Sequence, residues 1–145
     1  MTVIRMDSAG IVVRDMEGAI AFFVELGLEL EGRTTVEGAW VDRLLALDGV
    51  RSDIARLRTP DGHSSVELSA FQSPAVRVAE PNAPVNTTGM GRLMFAVADL
   101  EDVLGRLRGR GAELLGEVVR YENEYLLAYV RGPEGILVAL AQPLD

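Results

Sequence analysis

Cysteine is absent from the 145 residues. That excludes disulfides, a thiolate nucleophile and any cysteine metal centre. Histidine occurs once, as His63, so a site built from several imidazoles is excluded as well. Basic residues are few: 14 Lys and Arg stand against 22 Asp and Glu, for a formal net charge of −8. An acidic surface argues against nucleic acid or an anionic membrane as partner, since both need a basic face. No apolar run approaches the roughly 18 residues of a membrane span, and MTVIRMDS at the start does not read as a signal peptide. A cytoplasmic protein is the expectation. Aromatics make up only 6% of the chain, yet the hydrophobic fraction is 48%, enough for a real core and too high for disorder.

What is present is one layout, twice. Residues 10–32 read GIVVRDMEGAIAFFVELGLELEG and residues 94–116 read MFAVADLEDVLGRLRGRGAELLG. Asp15 and Asp99 lie 84 apart (99 − 15), and so do Gly27 and Gly111, Glu29 and Glu113, Leu30 and Leu114, and Gly32 and Gly116. Further on, TPDGHSSVELS (59–69) answers GPEGILVALA (132–141) at an offset of 73 for Pro60/Pro133 and Gly62/Gly135. The offset becomes 72 for Val66/Val138 and Leu68/Leu140, so the first copy carries one extra residue. Equivalent positions of a duplicated unit are expected to face each other across a pseudo-two-fold axis.

Each copy reads as strand, helix and three strands. In the first, a β-branched strand over 4–13 precedes Asp15, whose carboxylate suits a helix start, and Gly27 suits its end. Ala19, Ile20, Phe22, Phe23 and Leu26 supply the helix's apolar face. Strands are expected over 28–36, 52–58 and 64–71, with the turn Thr59-Pro60-Asp61-Gly62 between the last two. Residues 39–47 read equally as strand or short helix. Residues 73–88, SPAVRVAEPNAPVNTT, carry three prolines and read as a linker. The second copy gives strand 92–97, helix 100–110 capped by Asp99, and strands 113–121, 124–131 and 136–141. The modules are thus 4–72 and 89–144.

A duplicated βαβββ unit with the segments GIVVRDMEGAIAFFVELGLELEG, PDGHSSVELSAF, LMFAVADLEDVLGRL and YVRGPEGILVAL resembles the vicinal oxygen chelate superfamily. That group includes glyoxalase I, methylmalonyl-CoA epimerase, extradiol dioxygenases, fosfomycin-resistance transferases and bleomycin-binding resistance proteins. The resemblance implies an α+β fold of two βαβββ modules forming a curved sheet around a cleft, and commonly a homodimer. In the family's metal enzymes the first strand of each copy supplies a His or similar ligand and the last strand a Glu or Gln. Carried to this chain, those positions are Ser8 and Arg92 (84 apart) and Glu67 and Ala139 (72 apart). Only Glu67 matches. Alanine has no donor, and arginine is a fixed cation with no lone pair. No metal or other cofactor is therefore expected.

The resemblance then implies a metal-independent binder of a small molecule, of the bleomycin-resistance type, with Arg92 and Glu67 holding the ligand. The alternative is a glyoxalase-like lyase, epimerase or isomerase, with Glu67 as base and Arg92 stabilising an enolate. A metal-dependent glyoxalase or dioxygenase ranks third. Arg92 and Glu67 equally read as an ion pair that neutralises two charges. Met90, Arg92, Met94 and Ala96 share a strand face, so Met94 either walls an adaptable pocket or packs on a sheet. Trp40 lines the pocket mouth, or sits in the core or an interface. Tyr125 or Tyr129 offers a hydroxyl, or packs in a half-buried sheet. His63 reads as a general base or displaced ligand, or more plainly as a loop residue beside the Asp61-Gly62 turn, about 13 Å of strand from Glu67 at roughly 3.3 Å per residue.

Overall fold

The computed structural model describes residues 2–89 and 91–145; Met90, grouped above with Arg92 and Met94, lies outside the described residues. The chain forms two compact units, Met1–Val78 and Ala79–Asp145. Their boundary falls within the segment read as a linker.

The first unit runs β1 (Ala9–Val12), α1 (Met16–Leu26), β2 (Glu29–Glu37), α2 (Ala39–Leu45), β3 (Arg51–Arg58) and β4 (Ser65–Ser73). The second runs β5 (Leu93–Ala96), α3 (Leu100–Arg108), β6 (Glu113–Tyr121), β7 (Tyr125–Arg131), a 3-10 turn (Pro133–Gly135) and β8 (Leu137–Pro143). Strand order is β1-β4-β3-β2 in one sheet and β5-β8-β7-β6 in the other. Each first strand pairs in parallel with its last strand, and the remaining pairs are antiparallel. This is the tandem βαβββ architecture, and the duplication reaches individual bonds. Gly10 pairs with Glu67 as Met94 pairs with Ala139, at the offsets of 84 and 72 read from the sequence.

The helix ends show why the repeat folds alike. Asp15 accepts a bond from the Gly18 amide at 3.0 Å, and Asp99 from the Asp102 amide at 3.1 Å. Each carboxylate satisfies an amide that the first helical turn leaves without a backbone partner. Gly27 and Gly111 have φ of 122° and 81°, a region costly for any residue with a Cβ. The amides just beyond them close back on the helix, Leu28 to the Phe23 carbonyl at 3.0 Å and Ala112 to Leu107 at 3.1 Å. Helix α1 buries Ala19, Ile20, Phe22, Phe23 and Leu26 against β2, β3 and β4. Phe22 and Phe23 meet edge to face at 5.2 Å. Helix α3 buries Leu100, Val103, Leu104 and Leu107 and lies against β8.

Several boundaries differ from the sequence expectation. The first strand begins at Ala9, not residue 4, and Val3, Ile4 and Met6 ahead of it are exposed. Residues 39–45 are helix. There Asp42 accepts from the Gly49 and Val50 amides at 3.0 and 2.8 Å and so fixes the loop into β3. The first copy accordingly carries a short helix within its βαβββ order, one of the two readings left open for residues 39–47. Helix α3 ends at Arg108, two residues early. Among the described residues no helix is long and apolar enough to cross a membrane.

Phe22 is wholly buried, so Phe22→Ala is expected to lower stability by about 3–5 kcal/mol in urea unfolding of the full chain. Asp99→Ala removes only a cap and is expected to cost about 0.5–2 kcal/mol. A smaller loss for Phe22→Ala than for Asp99→Ala would contradict this packing.

Candidate functional site

A helix covers one face of each sheet, so side chains of the opposite parity share the other face. In the first unit the α1 side takes Ala55, Leu57, Val66 and Leu68, all buried. The open face takes their alternates, Arg56, Arg58, Glu67 and Ser69. Glu67 therefore lies on the open face, beside Gly10.

Its neighbour was not foreseen. Arg56 stands opposite Glu67 in the antiparallel register of β3 and β4, and Arg56 Nη1 lies 3.3 Å from Glu67 Oε2. Arg56 Nη2 donates to Asp7 Oδ2 at 2.9 Å, and Arg56 Nε is 3.9 Å from Glu31 Oε1. Glu31 is the extra residue of a bulge between Leu30 and Gly32, and a bulge re-aims side chains locally. It also receives Arg58, through Nε to Oε2 and Nη2 to Oε1, the latter at 3.1 Å. Two arginines and three carboxylates thus interlock on this face. The Arg56 guanidinium holds the Asp7 carboxyl below its ordinary value, and Arg58 does the same to Glu31. The signal for Arg56 was present in the sequence. Counting back from the Thr59–Ser64 turn sets Arg58 against Ser65, and hence Arg56 against Glu67.

The remaining candidates distribute unevenly. Ser8 stands just before β1, and Arg92 just before β5, so both mark strand entries and are not strand residues. Ser8 is half-buried and Arg92 exposed. The Arg92 guanidinium lies over the Tyr129 ring, 5.7 Å from its centroid. Met94 is exposed, whereas Ala139 is sealed at 1% exposure. Tyr125 is exposed at the start of β7. Trp40 is 54% exposed on α2, which rules out a core role within its unit. His63 is an exposed turn residue whose amide donates to Asp61 Oδ1 at 3.0 Å, as the plainer reading held. Among the described residues, no group of three or more His, Asp or Glu converges as a metal site.

The second unit's open face has the same frame with different chemistry. Tyr129 occupies the register position of Arg56, and Ala139 that of Glu67. Leu115 corresponds to Glu31 at the 84 offset. An apolar cleft of about 430 Å³ opens there, lined by Leu115, Val119, Leu127, Tyr129 and Val85, with Gly116, Glu117 and Ala128. Tyr129 rather than Tyr125 contributes to it. Between Leu115 and Val119 the β6–β7 register shifts, so residues 116–118 leave the ladder and widen this edge.

Residues 5–140 match the glyoxalase/bleomycin resistance protein/dioxygenase superfamily. A glyoxalase family protein from Bacillus cereus is similar at 49% identity and a TM-score of 0.96, over 100% of this chain and 97% of that one. A glyoxalase/bleomycin resistance protein/dioxygenase domain from Frankia shares the fold at 15% identity and a TM-score of 0.68, over 99% and 95% of the two chains. A genomically encoded fosfomycin resistance protein from Listeria monocytogenes, a mutant complexed with Mn(II) and a dihydroxypropylphosphonic acid, does so at 12% identity and 0.67, over 98% and 94%. No curated protein matches the chain. With nearly its whole length matched, the chain belongs to the glyoxalase/bleomycin resistance protein/dioxygenase superfamily.

Proposed function

We propose that this protein binds a small molecule without a metal, as a sequestering or carrier member of its superfamily. The observation that carries this reading is the guanidinium of Arg56 beside Glu67. A divalent metal needs several donors converging at about 2.0–2.6 Å. At the four positions that the family resemblance marks, Glu67 is the one carboxylate, and a fixed cation already occupies its oxygen. A metal there would compete with Arg56 for that oxygen and repel it. Ser8 offers only a neutral hydroxyl, Arg92 no lone pair, and Ala139 no donor at all. Asp7 and Glu31, the other carboxylates of that face, are engaged by Arg56 and Arg58. The donor set does not suit the family's metal.

The groups left can recognise a ligand. Arg92 presents a planar fork of donors, which suits a carboxylate, phosphonate or carbonyl oxygen, and its stacking on Tyr129 limits the conformations it must lose on binding. In the first unit, Glu67 and Arg56 together present one acceptor and one donor of opposite charge. A second reading, catalysis with Glu67 as general base, draws support from the half-exposed position of Glu67 on an open face, where a carbon acid could reach it.

The test is elemental analysis of the purified, tag-free protein, with titration by zinc, nickel, manganese and iron(II). The expected outcome is no stoichiometric metal. About one metal per chain, lost in Glu67→Ala, would overturn the proposal. Turnover of any bound compound that disappears in Glu67→Gln would favour the catalytic reading instead.

The ionic cluster makes a separate prediction. Its members are partly exposed, so each pair contributes little, and Arg56→Gln is expected to lower stability only slightly at neutral pH. The carboxyls of Asp7 and Glu31 titrate below their ordinary values of 3.8 and 4.5. Their contribution is therefore complete above those values and is lost as pH falls through the depressed ones. Urea midpoints of wild type and Arg56→Gln should differ at pH 7 and converge as the pH falls through the depressed values of the two carboxyls. A pH-independent difference would show that the cluster does not act through charge.

A further inference from the structure

The two modules keep one arginine in common and use it differently. Arg58 and Arg131 lie 73 apart, and each donates through Nη1 to the carbonyl of a glycine four residues on, Gly62 at 3.0 Å and Gly135 at 3.5 Å. The loops also close alike, Thr59 amide to Ser64 carbonyl and Gly132 amide to Ile136 carbonyl. There the likeness ends. Arg58 spends the rest of its guanidinium on Glu31. Arg131 is only 8% exposed, and it donates to the Pro81 carbonyl at 3.0 Å and the Ala83 carbonyl at 2.8 Å.

Residues 79–89 therefore form a strap held on the second module. The approach is tight. A Cβ on Gly135 would stand 2.6 Å from the Pro81 oxygen and 2.7 Å from its Cα, whereas one on Gly62 would meet nothing within 4 Å. Two residues past the clamp, Val85 enters the lining of the 430 Å³ cleft, opposite Leu115, Val119, Leu127 and Tyr129 of the sheet. A buried arginine whose bonds all run to backbone carbonyls fixes a path, not a charge. The path it fixes ends as a wall.

We infer that Arg131 clamps the strap so that Val85 completes a binding cleft for the apolar, uncharged body of a small molecule, and that the strap sets its width. The volume falls in the ordinary range of ligand pockets, roughly 300–1,000 Å³. The wall side chains are aliphatic apart from the Tyr129 ring and Glu117, which is exposed beside Gly116. A flat hydrocarbon or aromatic body suits these walls. Arg131 is here a positioning residue, since it does not line the cleft.

This inference rests on the reading of the chain as a small-molecule binder, and its test is separate from the metal titration. The probe is N-phenyl-1-naphthylamine, a neutral aromatic whose fluorescence rises in apolar surroundings, titrated into the full chain. Wild type should bind it saturably. Val85→Asp, a change at a site 52% exposed and so tolerable to the fold, should weaken binding about tenfold, which is 1.4 kcal/mol. Arg131→Met should weaken it similarly at temperatures well below unfolding, and Arg131→Lys should recover part of the loss. Leu44→Asp, on the exposed face of α2, should change nothing. No saturable binding by wild type, equal binding by Val85→Asp and Arg131→Met, or an equal loss in Leu44→Asp would each overturn the inference. A stoichiometric metal would sink the binder reading and leave the strap result standing. Strap-independent binding would sink this inference alone.

Discussion

Pairing the first strand of each module in parallel with its last decides where every other side chain can point. Once Gly10 lies against Glu67 and Met94 against Ala139, parity sends Val66, Leu68, Val138 and Leu140 towards the helices. Their alternates go to the uncovered face. A one-residue slip in either pair would exchange the core for the open face, so burial of those four aliphatics enforces the register. The buried helix faces, the capping aspartates and the positive-φ glycines all serve this one constraint.

With the frame held by burial, the open faces were free to diverge. The first module's face is ionic: Arg56 sits among Asp7, Glu31 and Glu67, each within 4 Å. Each of the three carboxylates there is already engaged by a guanidinium: Asp7 and Glu67 by Arg56, and Glu31 by Arg58. The second module's face is apolar, with Leu115, Tyr129 and Ala139 at the positions of Glu31, Arg56 and Glu67. The same division appears in the arginine pair. Arg58 answers a carboxylate and Arg131 answers a strap of backbone. Duplication supplied two copies of one scaffold, and the chemistry of each followed from the side chains on its free face.

The repeat was legible in the sequence because its offsets are set by conserved geometry within the chain itself. Asp15/Asp99 and Gly27/Gly111 mark helix ends wherever the same helix recurs, and Glu67/Ala139 fell at matched register positions as the offsets implied. What escaped was relational. The apolar residues Val3, Ile4 and Met6 look like strand, yet strand needs a partner, and the pairing of β1 with β4 begins only at Ala9. The short helix of residues 39–45 has too few turns for its period to speak, and it depends on Asp42 reaching forward to Gly49 and Val50. Arg56 fell inside an expected strand with no neighbour assigned, although counting from the hairpin turn pairs it with Glu67. The strap read only as linker, because no local pattern announces that Arg131, some fifty residues on, will bind its carbonyls.

The proposal that Arg56, and not a metal, balances Glu67 stands on the 3.3 Å contact between them. Its most direct test is a crystal structure of the protein soaked in manganese chloride, with anomalous data collected. The account predicts Arg56 within hydrogen-bonding distance of Glu67 and no anomalous peak beside that carboxylate. A peak at about 2.0–2.6 Å from a Glu67 oxygen, with Arg56 turned away, would contradict it.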